Sequence, residues 1–132
     1  MTFLYHKDKD FCATCTNELK TLALRSKGLK SAAIVSSDGF VVATYGDLKD
    51  GGNRLGSMTS SMQALAEAIH AELTMGDNEY ITFKSSDGNL VMSRVDDFPL
   101  VITALFSDRE TVGHGIFSIK QTVDFISNKI SP

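Results

Sequence analysis

A chain of 132 residues, 42% hydrophobic and 22% charged, can bury one core of its own and is too short for two ordinary domains. Its net charge is −3 and no two Lys or Arg residues are adjacent, which argues against a nucleic-acid partner bound through many phosphates. No apolar run approaches the ~20 residues of a membrane span, and the first residues lack the apolar core of a signal peptide. The expected setting is the cytoplasm, where thiols stay reduced.

Residues 1–9 are polar with scattered aromatics and are expected to form a loose lead-in to a single domain over 10–132. A first helix is expected over 10–27, carrying Phe11, Cys15, Leu19, Leu22 and Leu24, with Gly28 just past its end. Two short apolar runs, Ala32 to Val35 and Phe40 to Tyr45, flank Ser36-Ser37-Asp38-Gly39. Asp-Gly between such runs is hairpin chemistry, because the turn needs positive φ. Residues 46–52 are rich in breakers, and Asn53 is placed to cap a helix. That long second helix is expected over 54–75, stopped by Gly76-Asp77-Asn78. Alternation over Glu79 to Lys84 marks a third strand. Ser85-Ser86-Asp87-Gly88 repeats the earlier turn, and Leu90 to Val95 is a fourth strand. After the turn at Asp96-Asp97-Phe98-Pro99, Leu100 to Phe106 is almost continuously apolar, as expected of a strand covered on both faces. Ser107 and Glu110 have capping-box spacing. The last helix bears a stripe of Val112, Ile116, Ile119, Val123, Ile126 and Ile130. The expected class is α+β, in the order α-β-β-α-β-β-β-α.

The second helix has two apolar sides. At ~100° per residue, Leu55, Met58, Met62, Leu65, Ala66, Ile69 and Leu73 share one side, and this row of large residues is expected to cover the sheet. Opposite lie Ser57, Ser61, Ala64, Ala68 and Ala71, with Met75 at the end. Gln63, Glu67, His70, Arg54 and Glu72 are confined to the flanks. A surface helix ordinarily turns charge to water, whereas small side chains let a second helix approach closely. The outward row is therefore expected to dock another chain. If the strand 79–84 lies at a sheet edge, its open backbone groups also need a partner. Pairing two such edges would make a symmetric interface.

The stretch Leu55-Gly56-Ser57-Met58-Thr59-Ser60-Ser61-Met62-Gln63-Ala64-Leu65-Ala66-Glu67, after its glycine-rich loop, resembles the central helix of the Roadblock (dynein light-chain) domain family, and most of all its bacterial MglB-type members. Gly28 to Gly39 resembles the family's first strand and turn. Asp87-Gly88 with Leu90 to Val95 resembles its fourth strand. Leu100 to Leu105 with Val112-Gly113 resembles its fifth strand and last helix. The resemblance spans about residues 12–128. It implies a profilin-like, five-stranded antiparallel sheet with one helix on one face and two on the other. It implies a homodimer through the second helix and third strand, with Ser57, Ser61, Ala64, Ala68, Ala71, Met75, Tyr80, Ile81, Thr82 and Phe83 at the interface. It further implies a non-catalytic scaffold or regulator of a small Ras-like GTPase, without a cofactor or metal. Gln63, Glu67 and His70, flanking the dimer seam, are the candidate partner contacts.

Other chemistry is less well supported. Cys12-Ala-Thr-Cys15 follows no strand, as a redox pair usually does, and no second Cys or His pair completes a zinc site. Gly113-His114-Gly115 could line a phosphate-binding helix start, or it could allow tight packing. Arg54 and Arg109 are positioned as exposed candidates for an arginine finger, and solubility explains them equally well. A small-molecule sensor would need converging polar groups in a pocket, which the sequence does not show. A thiol protein using Cys12 and Cys15 ranks below both.

Overall fold

The computed structural model describes residues 4–130. Of the expected lead-in, residues 1–3 lie outside the described residues, and Tyr5–Lys7 form a 3-10 turn. Helix α1 runs over Lys9–Arg25, and Asp8 caps it by accepting the Phe11 N–H at 2.9 Å. Strands β1 (Leu29–Ser36) and β2 (Val41–Tyr45) form the first hairpin. Gly39 in its turn has φ 92°, which favours glycine there. Helix α2 is Asn53–Leu73. Strands β3 (Ile81–Ser85), β4 (Gly88–Arg94) and β5 (Leu100–Ser107) come next, and helix α3 is Val112–Ile130.

The five strands form one sheet in the order β2-β1-β5-β4-β3. Every neighbouring pair is antiparallel. The central position falls to β5, whose Leu100 to Ala104 are all buried. This satisfies the expectation raised by its nearly continuous apolar run. On one face of the sheet, α1 contributes Cys15, Leu19 and Leu22 and α3 contributes Ile119, Val123 and Ile126 to the main core. On the other face lies α2, over a smaller cluster of Ala33, Val35 and Val101.

Three local expectations are corrected. Asn53 makes no side-chain cap; Gly52, in a left-handed conformation, occupies that position. Ser107 does not cap the last helix, because the chain turns for several residues before α3 begins. Thr111 takes that role, its hydroxyl accepting the His114 N–H at 3.1 Å. The second helix also presents a different side to the sheet. Its buried residues are Gly56, Thr59, Gln63 and Ala66, a direction roughly 80–90° around the helix from the row of large residues at ~100° per residue. The cause is a close approach: a Cβ on Gly56 would lie 2.6 Å from the Gly39 carbonyl oxygen and 3.3 Å from Val35 Cγ1. At that separation only small or slender side chains fit between helix and sheet.

Candidate interaction surface

The close approach that buries Gly56, Thr59, Gln63 and Ala66 turns most of the large row outward, with Leu55 and Met62 half-buried. Met58, Leu65, Ile69 and Leu73 are 57%, 54%, 47% and 63% exposed. Helix α2 starts above the β1–β2 turn, where Gly56 meets Gly39, and crosses the sheet to β4, where Glu67 pairs with Arg94 at 3.7 Å. That ion pair is exposed at both ends and contributes little to stability.

Because α2 lies over one end of the strands, the other end of that sheet face is left open. Phe83, Leu90, Leu105 and Ser31 are successive cross-strand partners, so their side chains share a face. Leu90 and Leu105, together with Leu48, Leu55 and Met58, line a trough of about 420 Å³. Phe83 stands half-exposed at its β3 side. Strand β3 is an edge strand, and four of its five residues are exposed. Helix face, trough and open edge are therefore continuous.

The structure places Ser57, Ser61, Ala64, Ala68 and Ala71 on the exposed arc of α2, beside the large row, and leaves Met75, Tyr80, Thr82 and Phe83 exposed with Ile81 half-buried. The large row itself, Leu90 and Leu105 were not foreseen as surface. The available signal was Gly56 followed by Thr59, Gln63 and Ala66, a slim stripe at helical spacing. Of the candidate partner contacts, Gln63 is corrected. It is 6% exposed and faces the sheet, its Oε1 accepting from Asn78 Nδ2 at 3.3 Å. Its Nε2, like the hydroxyls of Thr59 and Thr103, is buried without a hydrogen-bond partner among the described residues. Glu67 is exposed and His70 half-buried. His70 Nδ1 lies 2.7 Å from the Ala66 carbonyl, which can only accept, so Nδ1 carries the proton.

The remaining candidates are tied into structure. His114 Nδ1 pairs with the Glu110 carboxylate, whose Oε1 also accepts the Gly28 N–H at 3.1 Å. Burial pushes the Glu110 carboxyl up, but the hydrogen bonds from His114, Gly28 and Ser26 and the nearby His114 charge outweigh it and hold the group below its usual 4.5. Gly115 lets the Phe106 ring approach, where a Cβ would stand 3.2 Å from it. Packing therefore accounts for Gly115. Cys15 is fully buried, and burial, then the neighbouring Cys12 and Glu18, push its thiol up to about 12. Burial and Asp8 raise Cys12 as well. Neither is a thiolate near neutral pH. Arg54 and Arg109 are both exposed. No group of His, Cys, Asp and Glu among the described residues is arranged to hold a metal. No helix among them is long and apolar enough to cross a membrane.

Comparison of the sequence with curated proteins gives no match. Solved structures do match in fold. MglB of Myxococcus xanthus superposes with a TM-score of 0.83 at 15% identity, over 98% of this chain and 94% of that one. A Roadblock/LC7 domain from Streptomyces avermitilis gives 0.79 at 16%, over 87% and 96%. The gliding protein MglB of Thermus thermophilus gives 0.77 at 12%, over 97% and 92%. The family model of the Roadblock/LC7 domain matches residues 16–104. The chain belongs to the Roadblock/LC7 domain family.

Proposed function

We propose that this chain is a non-catalytic homodimeric interaction domain that regulates a small Ras-like GTPase. The observation that carries the dimer is the outward-facing row of Met58, Leu65, Ile69 and Leu73 beside an apolar trough and an open strand edge. Beyond Glu67 the helix continues to Leu73, ~9 Å further at 1.5 Å per residue. Antiparallel pairing of two β3 edges brings that projecting end of each helix over the partner's trough. Ile69 and Leu73 then cover Phe83, Leu90 and Leu105 of the second copy, and the small residues Ala64, Ala68 and Ala71 let the two helices close together. The interface is isologous, each copy using the same residues twice.

The family resemblance supplies the partner class, a Ras-like GTPase. It would meet the composite surface of two α2 helices, where Glu67 and His70 stay at the margin. Gln63 is excluded from direct contact by its burial.

Leu65→Asp tests the dimer. Docking would bury the half of Leu65 now exposed, worth ~1 kcal/mol per copy, and a carboxylate in an apolar contact costs a few kcal/mol more. The dimer dissociation constant should rise at least ~1000-fold. Sedimentation equilibrium should show the wild type at about twice 14.3 kDa and the variant as monomer, with unchanged far-UV circular dichroism. A wild-type monomer at micromolar concentration, or a Leu65→Asp dimer, would overturn the interface. The regulatory arm is tested by nucleotide hydrolysis and exchange on a purified bacterial Ras-like GTPase. The wild-type dimer should change one of these rates, and the Leu65→Asp monomer should not.

A further inference from the structure

The face of the molecule opposite α2 carries a second apolar surface that folding leaves unused. Helix α3 buries Ser118, Ile119, Thr122, Val123 and Ile126, yet Phe117 and Phe125 on its outer side are 57% and 47% exposed. They lie eight residues apart, ~12 Å along the axis and ~80° around it, with Phe125 on the side toward α1. Helix α1 lies alongside. Arg25 Nη2 donates to Thr122 Oγ1 at 2.9 Å, and the Arg25 guanidinium carbon stands 5.4 Å from the centre of the Phe125 ring. Next to Arg25 in the chain, Leu24 is 80% exposed, the highest value among the described large apolar residues. The three side chains expose on the order of 300 Å² of apolar surface in all.

Charge selects the occupant. Segments 17–27 and 112–125, which form this seam, hold four Lys or Arg and two Asp or Glu, a net +2. The whole chain is −3, so everything else carries −5. An apolar patch with positive flanks on an otherwise negative protein attracts an acidic partner and repels a second copy of itself. Two net charges are a weak pull toward an anionic bilayer, and Phe125 packs beside the Arg25 guanidinium.

We infer that the seam of α1 and α3, through Leu24, Phe117 and Phe125 flanked by Lys20, Arg25 and Lys27, docks an acidic amphipathic helix of a partner protein. Its apolar residues, one or two turns apart, cover the two rings and Leu24, and its carboxylates meet the cations. Lying on the opposite side of the sheet from α2 and its trough, the seam stays open when two copies dimerise, so each copy of a dimer offers one such site. Docking at this seam does not depend on a GTPase partner.

The probe is a fluorescein-labelled 18-residue peptide with Leu at positions 1, 5, 8, 12 and 15, Glu on the flanks and Ala elsewhere. A control peptide has every Glu replaced by Lys. Fluorescence anisotropy should show the acidic peptide binding at least about tenfold more tightly than the basic one, and more weakly as salt rises from about 50 to about 300 mM. Phe117→Ser with Phe125→Ser should weaken it about tenfold or more, and Lys20→Glu with Lys27→Glu should do the same. Circular dichroism and the oligomeric mass should not change. If the double Phe variant is misfolded, Phe117→Ser and Leu24→Ser singly replace it. Equal binding of the two peptides, or binding untouched by these changes, would overturn the inference. So would peptide-independent binding to vesicles with about 30% phosphatidylserine that is lost in the Phe variants, which would assign the patch to membrane.

Discussion

Replacing Gly56 by Ala isolates the contact that sets the orientation of α2. The new Cβ would stand 2.6 Å from the backbone oxygen of Gly39, roughly 0.8 Å inside an ordinary contact, and 3.3 Å from Val35 Cγ1. Neither neighbour is the free end of a flexible side chain, so helix and turn must separate. Such overpacking costs ~1–3 kcal/mol, while Ala in place of a helical Gly returns up to ~1 kcal/mol. The net loss is ~1–2 kcal/mol, a fall in Tm of ~3–8 °C for a domain of this size. Gly113→Ala is the matched control. Gly113 lies in the first turn of α3 with nothing within 4 Å of its Cβ position, so the same chemical change should raise Tm by ~2–4 °C. Scanning calorimetry of wild type and both variants at one protein concentration, since dimerisation is linked to Tm, reads the two signs directly. A Gly56→Ala protein as stable as the wild type, or more so, would refute the close approach and with it the outward placement of Met58, Leu65 and Ile69.

Glu110 makes stability dependent on acid pH. Its folded pKa lies below 4.5, so its contribution is complete above that value and is lost as pH falls through the folded pKa. Glu110→Gln keeps an acceptor for the Gly28 N–H and cannot titrate; its Tm should fall less steeply than that of the wild type between about pH 5 and 3, and parallel acid limbs would refute this. In the native protein at pH 8, iodoacetamide should leave Cys15 unmodified, as burial and a thiol near 12 require. Cys12, raised less and partly exposed, should react slowly, and both should react in denaturant. Rapid native labelling of Cys15, followed by mass spectrometry, would contradict its place in the core.

Much of the fold is written locally. The two Asp-Gly turns close hairpins because each joins runs that alternate or bury in step, and such signals lie within a few residues of one another. The last helix announces its buried stripe, since Ile119, Val123 and Ile126 pack where their spacing puts them. The apolar continuity of Leu100 to Phe106 is enough to predict a strand covered on both faces. Caps are less legible: Ser107 and Glu110 have the right spacing, but the Glu110 carboxylate goes to Gly28 and His114, partners brought in by tertiary packing from a different part of the chain.

By itself, then, the sequence determined the order of elements, the hairpins, the strand covered on both faces and the fact that α2 has more apolar surface than one sheet can cover. Which side of α2 meets that sheet was decided only in three dimensions. Hydrophobicity favours burying the large row, but the backbone of Gly56 sits against the backbone of Gly39, and that spacing admits only Thr59, Gln63 and Ala66 beneath the helix. Met58, Leu65, Ile69 and Leu73 are left outward. A helical wheel records direction around an axis and is blind to the distance between that axis and its neighbour, which here chose the face.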